Sequence, residues 1–158
     1  MANALESAPV IRLADPESPD ARTCLQHYYD LLNARFDTGF EVSKSLDPQA
    51  DLMRPPIGGF WLAHLSGQPV ACVGLKGGQD YGEVKRLWVA DQARGLGLAR
   101  HLMETLETYA RSIGLLTLKL DTNTKLTEAM AMYRKWGWVE IDRFNDDPYP
   151  THFFEKRL

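Results

Sequence analysis

The chain has 158 residues, which is long enough to bury a core, and no shift in composition marks a linker, so a single domain over residues 1–158 is expected. Hydrophobic residues make up 44% and charged residues 25%, which is typical of soluble globular proteins. The net charge of -3 argues against a protein that acts by wrapping nucleic acid, and no apolar run is long enough to span a membrane.

The first part of the chain predicts a strand, a helix and then three consecutive strands. Residues 25–36 carry apolar side chains at spacings of three and four, which is typical of a helix with one buried face. Residues 38–56 give mixed signals, with one short helix expected near Gln49–Met53. Turn-forming residues at 66–69 predict a hairpin between two of the strands. The strands are expected at Val10–Leu13, Phe60–Leu65, Val70–Leu75 and Glu83–Val89.

The second part of the chain alternates helices and strands. Its clearest helix begins at about Gly97, and its apolar stripe runs from Leu98 to Ile113 before Gly114, which suits a helix end. A strand at 116–120, a helix that carries residues 129–136 and closing strands at 138–141 and 152–156 follow. Three consecutive strands followed by alternating elements predict a mixed sheet with helices on its faces.

The cysteines and histidines give no sign of a metal site. Cys24 and Cys72 lie far apart, and His64, His101 and His152 stand singly without metal-ligand spacing. Residues 1–9 lack the basic and apolar regions of a signal peptide. We therefore expect a cytoplasmic protein without a bound metal, and whether the two cysteines form a disulfide stays open.

The loop from Gln92 to Gly97, between a strand and the clearest helix, favours a phosphate group as ligand. Glycine permits a positive φ and the close approach of a ligand to the main chain. The first amides of a helix have no partners within the helix and lie at the positive end of its dipole, an arrangement that binds phosphate or diphosphate. Arg94 and Arg100 add positive charge to the loop.

Three other interpretations of this loop were weighed. The dinucleotide-binding pattern G-x-G-x-x-G would need a glycine at Arg100, and Asp121 could take the place of its acidic residue, but that motif usually follows the first strand of its domain. The P-loop requires glycine-lysine-serine/threonine, which does not occur. A tight structural turn is the simplest alternative.

Two blocks of the sequence resemble a known family. Gln92-x-x-Gly95-x-Gly97, between Leu87-Trp88-Val89 and Leu98-Ala99, is similar to the diphosphate-binding motif of the GNAT superfamily of acetyl-CoA-dependent N-acetyltransferases. Residues 129–138, with Tyr133 and Gly137-Trp138, resemble the alanine–tyrosine–glycine-aromatic signature of that superfamily. The blocks stand in the family's order, and the resemblance covers roughly residues 56–139.

The resemblance implies an α/β fold, with a central mixed sheet of about six to seven strands and about four helices, and acetyl-CoA as co-substrate. The strand that ends at Val89 would diverge from the strand at 116–120, and the pantetheine arm would lie in the gap as an added strand. The family often has an asparagine where this chain has Leu126, and Asn123 is the nearest substitute. The residues expected to bind the coenzyme are Leu87, Trp88, Val89, Gln92, Arg94, Gly95, Leu96, Gly97, Leu98, Ala99, Asn123 and Tyr133.

The resemblance also implies two catalytic residues. An alkyl amine is largely protonated at neutral pH, and Glu83, six residues before Val89, is the candidate general base, directly or through water. The structural alternative is a solvent-facing residue paired with Lys85 or Arg86. Tyr133 is the candidate acid for the departing thiolate, and a core aromatic residue is its alternative.

The acceptor is expected to be a small or amino-acid-like amine, bound between residues 36–57 and the loop 142–151, whose Asp142, Asp146 and Asp147 suit a cation. A solvated acidic loop is an equally good interpretation. The competing functions are acetylation of protein N-termini or lysines, a non-catalytic acyl-CoA-binding module and, more distantly, a nucleotide-dependent oxidoreductase. A homodimer is a further expectation from the resemblance, and no membrane or nucleic-acid partner is expected.

Overall fold

The computed structural model of the chain describes residues 8–36, 39 and 51–158, which form a mixed sheet with helices on both faces. The sheet order is β1-β2-β3-β4-β5-β7-β6, and only the β4–β5 pair is parallel. The strands are β1 (Val10–Leu13), β2 (Gly59–Leu65), β3 (Gln68–Lys76), β4 (Gly82–Val89), β5 (Thr117–Thr122), β6 (Val139–Ile141) and β7 (His152–Arg157). The helices are α1 (Pro19–Arg35), α2 (Leu98–Ser112) and α3 (Thr127–Lys135), and a 3-10 turn covers Asp91–Ala93.

The predicted mixed sheet is confirmed, and most elements differ from their expected bounds by a few residues. Helix α1 begins earlier than its apolar stripe because Ser18 caps it, its hydroxyl accepting the Ala21 N–H at 3.4 Å, and Pro19 suits the first helical position. Of the short helix expected near Gln49–Met53, residues 49 and 50 lie outside the described residues and 51–53 form a turn. The described part of the chain therefore has three α-helices rather than about four.

The two faces of the sheet are covered by different helices. Helix α2 packs its apolar stripe on one face, in a cluster with Trp61, Val73 and Leu118. Helix α1 covers the other face over β3 and β4, where Cys24 and Leu25 pack with Phe60. In the described residues, no helix combines the length and hydrophobicity needed to cross a membrane.

Strand β4 is irregular at its centre. Its register with β3 shifts between Cys72 and Gly74, so that Arg86 and Leu87 together oppose the single residue Val73. Arg86 has a φ of 59°, which is unusual for a residue other than glycine and typical of a β-bulge. The bulge bends the carboxyl half of β4.

Strands β4 and β5 separate beyond the bulge. Their parallel pairing covers Gly82–Val84 opposite Leu118–Leu120, and residues 85–89 of β4 have no partner on β5. The divergence of these two strands, expected from the sequence resemblance, is therefore present. It leaves a gap in the sheet between the bulge and the start of α2.

Candidate active site

The glycine loop before α2 is open to solvent. Gly95 and Gly97 have φ values of 83° and 73°, and a methyl group added to either would meet no protein atom within 4 Å. The first recorded main-chain bond of the helix runs from the His101 N–H to the Gly97 carbonyl at 3.0 Å. Within the described residues, no acceptor is recorded for the N–H groups of residues 95–98, which are therefore available to an anion.

Charge around this loop also suits an anion. The first turn of α2 has no acidic residue. The Arg94 guanidinium lies 3.2 Å from Asp91 and that of Arg100 lies 3.1 Å from Glu104, and all four side chains are more than half exposed. Such exposed pairs contribute little stability, so both arginines can turn toward a ligand at small cost.

A cleft runs from this loop along the unpaired residues 87–89 of β4, and we call it the outer pocket. Its floor includes Leu87, Trp88 and Val89, and α3 forms one wall with Ala129, Met132, Tyr133 and Trp136. Of the twelve residues expected to bind the coenzyme, nine line it: Leu87, Trp88, Val89, Arg94, Gly95, Gly97, Leu98, Ala99 and Tyr133. Gln92, Leu96 and Asn123 do not, although Gln92 and Leu96 lie exposed in the same loop.

The main chain of β4 offers hydrogen bonds to this cleft. The Ala90 N–H donates to the Val70 carbonyl of β3 at 2.8 Å. Since successive residues of a strand direct their N–H groups to opposite edges, Val89 and Leu87 direct theirs into the gap. An extended chain that carries amides could therefore add to this edge as a further strand.

A second cavity, the inner pocket, lies deeper between the sheet and α1 and has a volume of about 110 Å³. Its polar residues come from β4, β5 and the β6–β7 loop, and its aromatic residues from α1 and that loop. Five residues line both pockets, so the two cavities meet there: Tyr28, Leu87, Leu126, Ala129 and Tyr133. A group in one cavity can thus reach a group in the other.

Tyr133 lies at this junction and is 6% exposed. Its ring packs edge-on against Trp138, with 6.0 Å between the ring centroids. Burial raises the pKa of Tyr133 well above its ordinary value, and the negative charge of Asp121 raises it further. The phenol is therefore protonated at neutral pH, as a proton donor must be.

Glu83 is placed differently from a solvent-facing residue. It is 3% exposed, and its carboxylate lies 3.4 Å from the Lys85 ammonium. Glu83 is not among the described residues that line either pocket. Pairing with Lys85 is the structural alternative expected from the sequence, while the role of Glu83 as a base stays a prediction.

A second carboxylate, Asp121, lines the inner pocket directly. It lies 3.4 Å from the Lys85 ammonium, which also contacts Glu83, and it accepts a hydrogen bond from the Asn145 amide at 2.7 Å. Burial lowers the pKa of Lys85, but the carboxylates of Asp121, Glu83 and Asp147 outweigh that effect and the pKa is raised overall. Lys85 is therefore charged at neutral pH, although its side chain is only 12% exposed.

Asn123 lines the inner pocket rather than the outer one. Its amide donates to the Tyr149 carbonyl at 2.7 Å and its oxygen accepts the Lys125 N–H at 2.8 Å. Both ends of the side chain thus hold neighbouring loops, while its predicted contact with the coenzyme stays untested.

Sequence reasoning missed several residues of the inner pocket. Tyr28 belongs to the apolar stripe predicted for residues 25–36, but it lines both cavities. The sequence indicates Asp121 only in the dinucleotide-binding alternative, and Lys85 and Arg86 only as partners of Glu83. The alternation of Thr117, Lys119 and Asp121 along β5 was a usable signal, because it indicates a polar face on a strand in the centre of the sheet.

Among the described residues, no histidine or cysteine lines either pocket. His64 contacts Asp20 at 2.8 Å, and His152 contacts Glu140 at 3.0 Å. Both cysteines are free and buried. Across residues 8–36, 39 and 51–158, no group of three or more metal-ligating side chains occurs.

Comparisons with known proteins agree on one family. The model of the acetyltransferase (GNAT) family matches residues 25–138. An IAA acetyltransferase of Azospirillum brasilense is 37% identical over 122 residues, which is 74% of this chain and 77% of the relative.

Solved structures share the fold at low sequence identity. A GNAT-family acetyltransferase from Staphylococcus aureus superposes with a TM-score of 0.83 at 19% identity, covering 96% of this chain and 99% of that one. A Bacillus anthracis protein solved with acetyl-coenzyme A has a TM-score of 0.59 at 18% identity, covering 68% of this chain and 66% of that one.

Proposed function

Because the chain belongs to the GNAT family of acetyltransferases, we propose that it transfers the acetyl group of acetyl-coenzyme A to the primary amine of a small molecule. Family membership makes the protein an acetyl-CoA-dependent acyltransferase. The proposal concerns the acceptor, which we expect to be a small molecule with a primary amine. The observation that carries the proposal is the meeting of the outer and inner pockets at Tyr133.

The outer pocket fits the coenzyme. The open amides at residues 95–98 would hold its diphosphate, with Arg94 and Arg100 close by. The N–H groups of Leu87 and Val89 would bind the amides of the pantetheine arm. A Bacillus anthracis protein of the same fold was solved in complex with acetyl-coenzyme A.

When bound there, the coenzyme supplies a thioester, and the residues at the junction supply position and protons. Tyr133 would donate its phenolic proton to the sulfur as the thiolate departs, since it is buried, protonated and placed where the cavities meet. The main chain of β4 beyond the bulge would stabilise negative charge on the carbonyl oxygen.

An acceptor amine must lose a proton before it attacks. Glu83 is the carboxylate predicted from the sequence, and it would act through Lys85 or a water because it lines neither pocket. Asp121 is a second candidate for this step, since it lines the inner pocket and its charge acts on Tyr133.

Two features favour a small acceptor. The inner pocket is narrow, at about 110 Å³, and partly walled by side chains of α1. The Azospirillum brasilense relative is named an IAA acetyltransferase. A homodimer and a cytoplasmic location stay predictions of the sequence.

The test is thiol release from acetyl-CoA by the purified protein. A panel of small primary amines is compared with peptides that present a free N-terminus or a lysine. We expect turnover with small amines, in a ternary complex without a covalent acetyl-enzyme. Activity confined to protein lysines or N-termini would reverse the choice of acceptor, and tight binding of acetyl-CoA without turnover on any acceptor would contradict the proposal.

A further inference from the structure

The charged side chains of the inner pocket lie on one face of the sheet. Val84, Leu118 and Leu120 pack into the core beneath α2, so their neighbours along β4 and β5 point to the face covered by α1. The ion pairs that Lys85 forms with Glu83 and Asp121, each at 3.4 Å, lie on this face. The Lys85 ammonium is thus shared by two carboxylates.

The bulge in β4 brings a second cation to the same pocket. Consecutive residues of a regular strand point to opposite faces, yet Lys85 pairs with Asp121 on the face covered by α1 and the Arg86 guanidinium lies against Tyr29 of α1. The register shift and the positive φ of Arg86 account for this, because an extra residue in a strand turns its side chain. Arg86 is 9% exposed, and its guanidinium carbon lies 6.0 Å from the centre of the Tyr29 ring.

Charges of both signs line the cavity. Asp121 acts electrostatically on Tyr133, at the junction with the outer pocket. Arg86 stands over Tyr29 of α1. A guanidinium has five N–H donors in a planar fork, so it can hold a carboxylate in addition to another acceptor.

Aromatic side chains complete the wall around these charges. Tyr28 and Tyr29 come from α1, and Phe36 stacks on Tyr149 with 5.5 Å between the ring centroids. Aromatic faces favour a flat or apolar group and contribute most where water is excluded. The pocket therefore combines the carboxylate of Asp121, the guanidinium of Arg86 and an aromatic wall.

We propose that the acceptor is an α-amino acid with an apolar or aromatic side chain. Asp121 would bind its ammonium beside Tyr133, Arg86 would bind its carboxylate, and the aromatic wall would hold its side chain. The inference rests on the proposed function, because it names the class of amine that the same site accepts.

The transfer balances for such an acceptor. The nitrogen–carbon bond of the acetamide forms and the carbon–sulfur bond of the thioester breaks. The ammonium loses two protons in all, of which one ends on the coenzyme sulfur and the other in solvent. The product is an N-acetyl amino acid with a free carboxylate.

Matched acceptors test the proposal on the unmodified protein. Phenylalanine, tyrosine, tryptophan, leucine and methionine are each compared with their α-amide and with the corresponding decarboxylated amine, by thiol release from acetyl-CoA. We expect kcat/KM for the best acid to exceed that of its amide and its amine at least tenfold, since a hydrogen-bonded ion pair is lost without the carboxylate. The amine of the amide is less basic, so a larger fraction of it is unprotonated and able to attack. This effect favours the amide, so a preference for the acid would have to come from recognition of its carboxylate.

Three results would overturn the inference. Equal or faster acetylation of the amides or amines would mean that no carboxylate is recognised, and the proposed function would survive. Acetylation of peptide N-termini at the rate of free amino acids would point to a protein acceptor. Turnover with other small amines, but with none of the five acids, would exclude an amino acid of this class and again leave the small-amine function standing.

A variant assigns the preference to Arg86. Arg86→Gln should lower kcat/KM for the preferred acid roughly tenfold to a hundredfold while leaving its amide within about twofold. Arg111→Gln, at an exposed position near the end of α2, is the matched control and should change neither value. An equal loss for acid and amide would contradict the role of Arg86, and an unaltered melting temperature and coenzyme affinity would show that the bulge is intact.

Discussion

Replacing Gly97 with alanine tests whether the open amides bind the coenzyme. A methyl group at this position would meet no protein atom within 4 Å, so steric conflict within the protein contributes nothing. The φ of 73° is the one local cost, and a residue other than glycine pays about 1 kcal/mol in this region. For a chain of this length the expected fall in melting temperature is about 2–4 °C.

The effect on coenzyme binding should be larger than the effect on stability. The methyl group would occupy the open space in front of the amides, where the diphosphate is expected. Loss of one charge-assisted hydrogen bond costs about 1.5–3 kcal/mol, which raises the dissociation constant for acetyl-CoA by roughly tenfold to a hundredfold. Calorimetry measures the affinity, and thermal unfolding measures the stability.

Gly67 is a matched control in the β2–β3 turn. Its φ is 78°, and an added methyl group there would also meet nothing within 4 Å. Gly67→Ala should therefore lose the same stability but bind acetyl-CoA as tightly as the unmodified protein. If the two variants retained equal affinity for the coenzyme, the diphosphate would not lie on the amides at residues 95–98.

Three further predictions concern the buried polar groups. Tyr133→Phe should lower kcat roughly tenfold to a hundredfold with acetyl-CoA affinity within about twofold, and unchanged turnover would remove Tyr133 as the acid. Lys85→Met should lower the free energy of unfolding in urea by about 3 kcal/mol, because it leaves Glu83 and Asp121 buried without their shared cation, and a loss below about 1 kcal/mol would contradict that role. The free energy of unfolding should also fall as the pH rises above about 10. Burial raises the pKa of Tyr28 and Tyr133 in the folded protein, so the same tyrosines lose their protons at lower pH when unfolded, and this stabilises the unfolded state. The raised pKa of Lys85 acts in the same direction. Urea unfolding between pH 9 and 11 measures this fall, and Tyr133→Phe should make it shallower.

The outer pocket was largely predictable from the sequence because its signals are local. The glycines at 95 and 97, the apolar stripe of α2 and the preceding strand lie within about thirty residues, and each depends on the conformation of its near neighbours. Nine of the twelve residues expected at the coenzyme accordingly line the outer pocket. Tyr133, which the resemblance of a second local block identifies, lines the same pocket.

The inner pocket was far less predictable. The family resemblance points to Glu83 as the base because of its distance from Val89 along the chain. On a strand, that distance does not reveal whether a side chain lines a cavity or forms an ion pair. Asp121 is paired with Lys85, thirty-six residues earlier, and this contact arises only from the pairing of β4 with β5. From the sequence, Tyr28 is interpreted as a core residue, because the apolar stripe of a helix has the same spacing whether it packs on a sheet or lines a cavity.

The sequence by itself determined the order of the strands and helices, the open glycine turn before α2 and the family, because periodicity, glycine conformation and helix ends act over a few residues. Only the tertiary structure decided which charges share a pocket. The bulge at Arg86 depends on the register between β3 and β4, and the inner pocket joins residues from α1, β4, β5 and the β6–β7 loop. Contacts between segments so distant in the chain are set by packing of the whole domain, which no local pattern records.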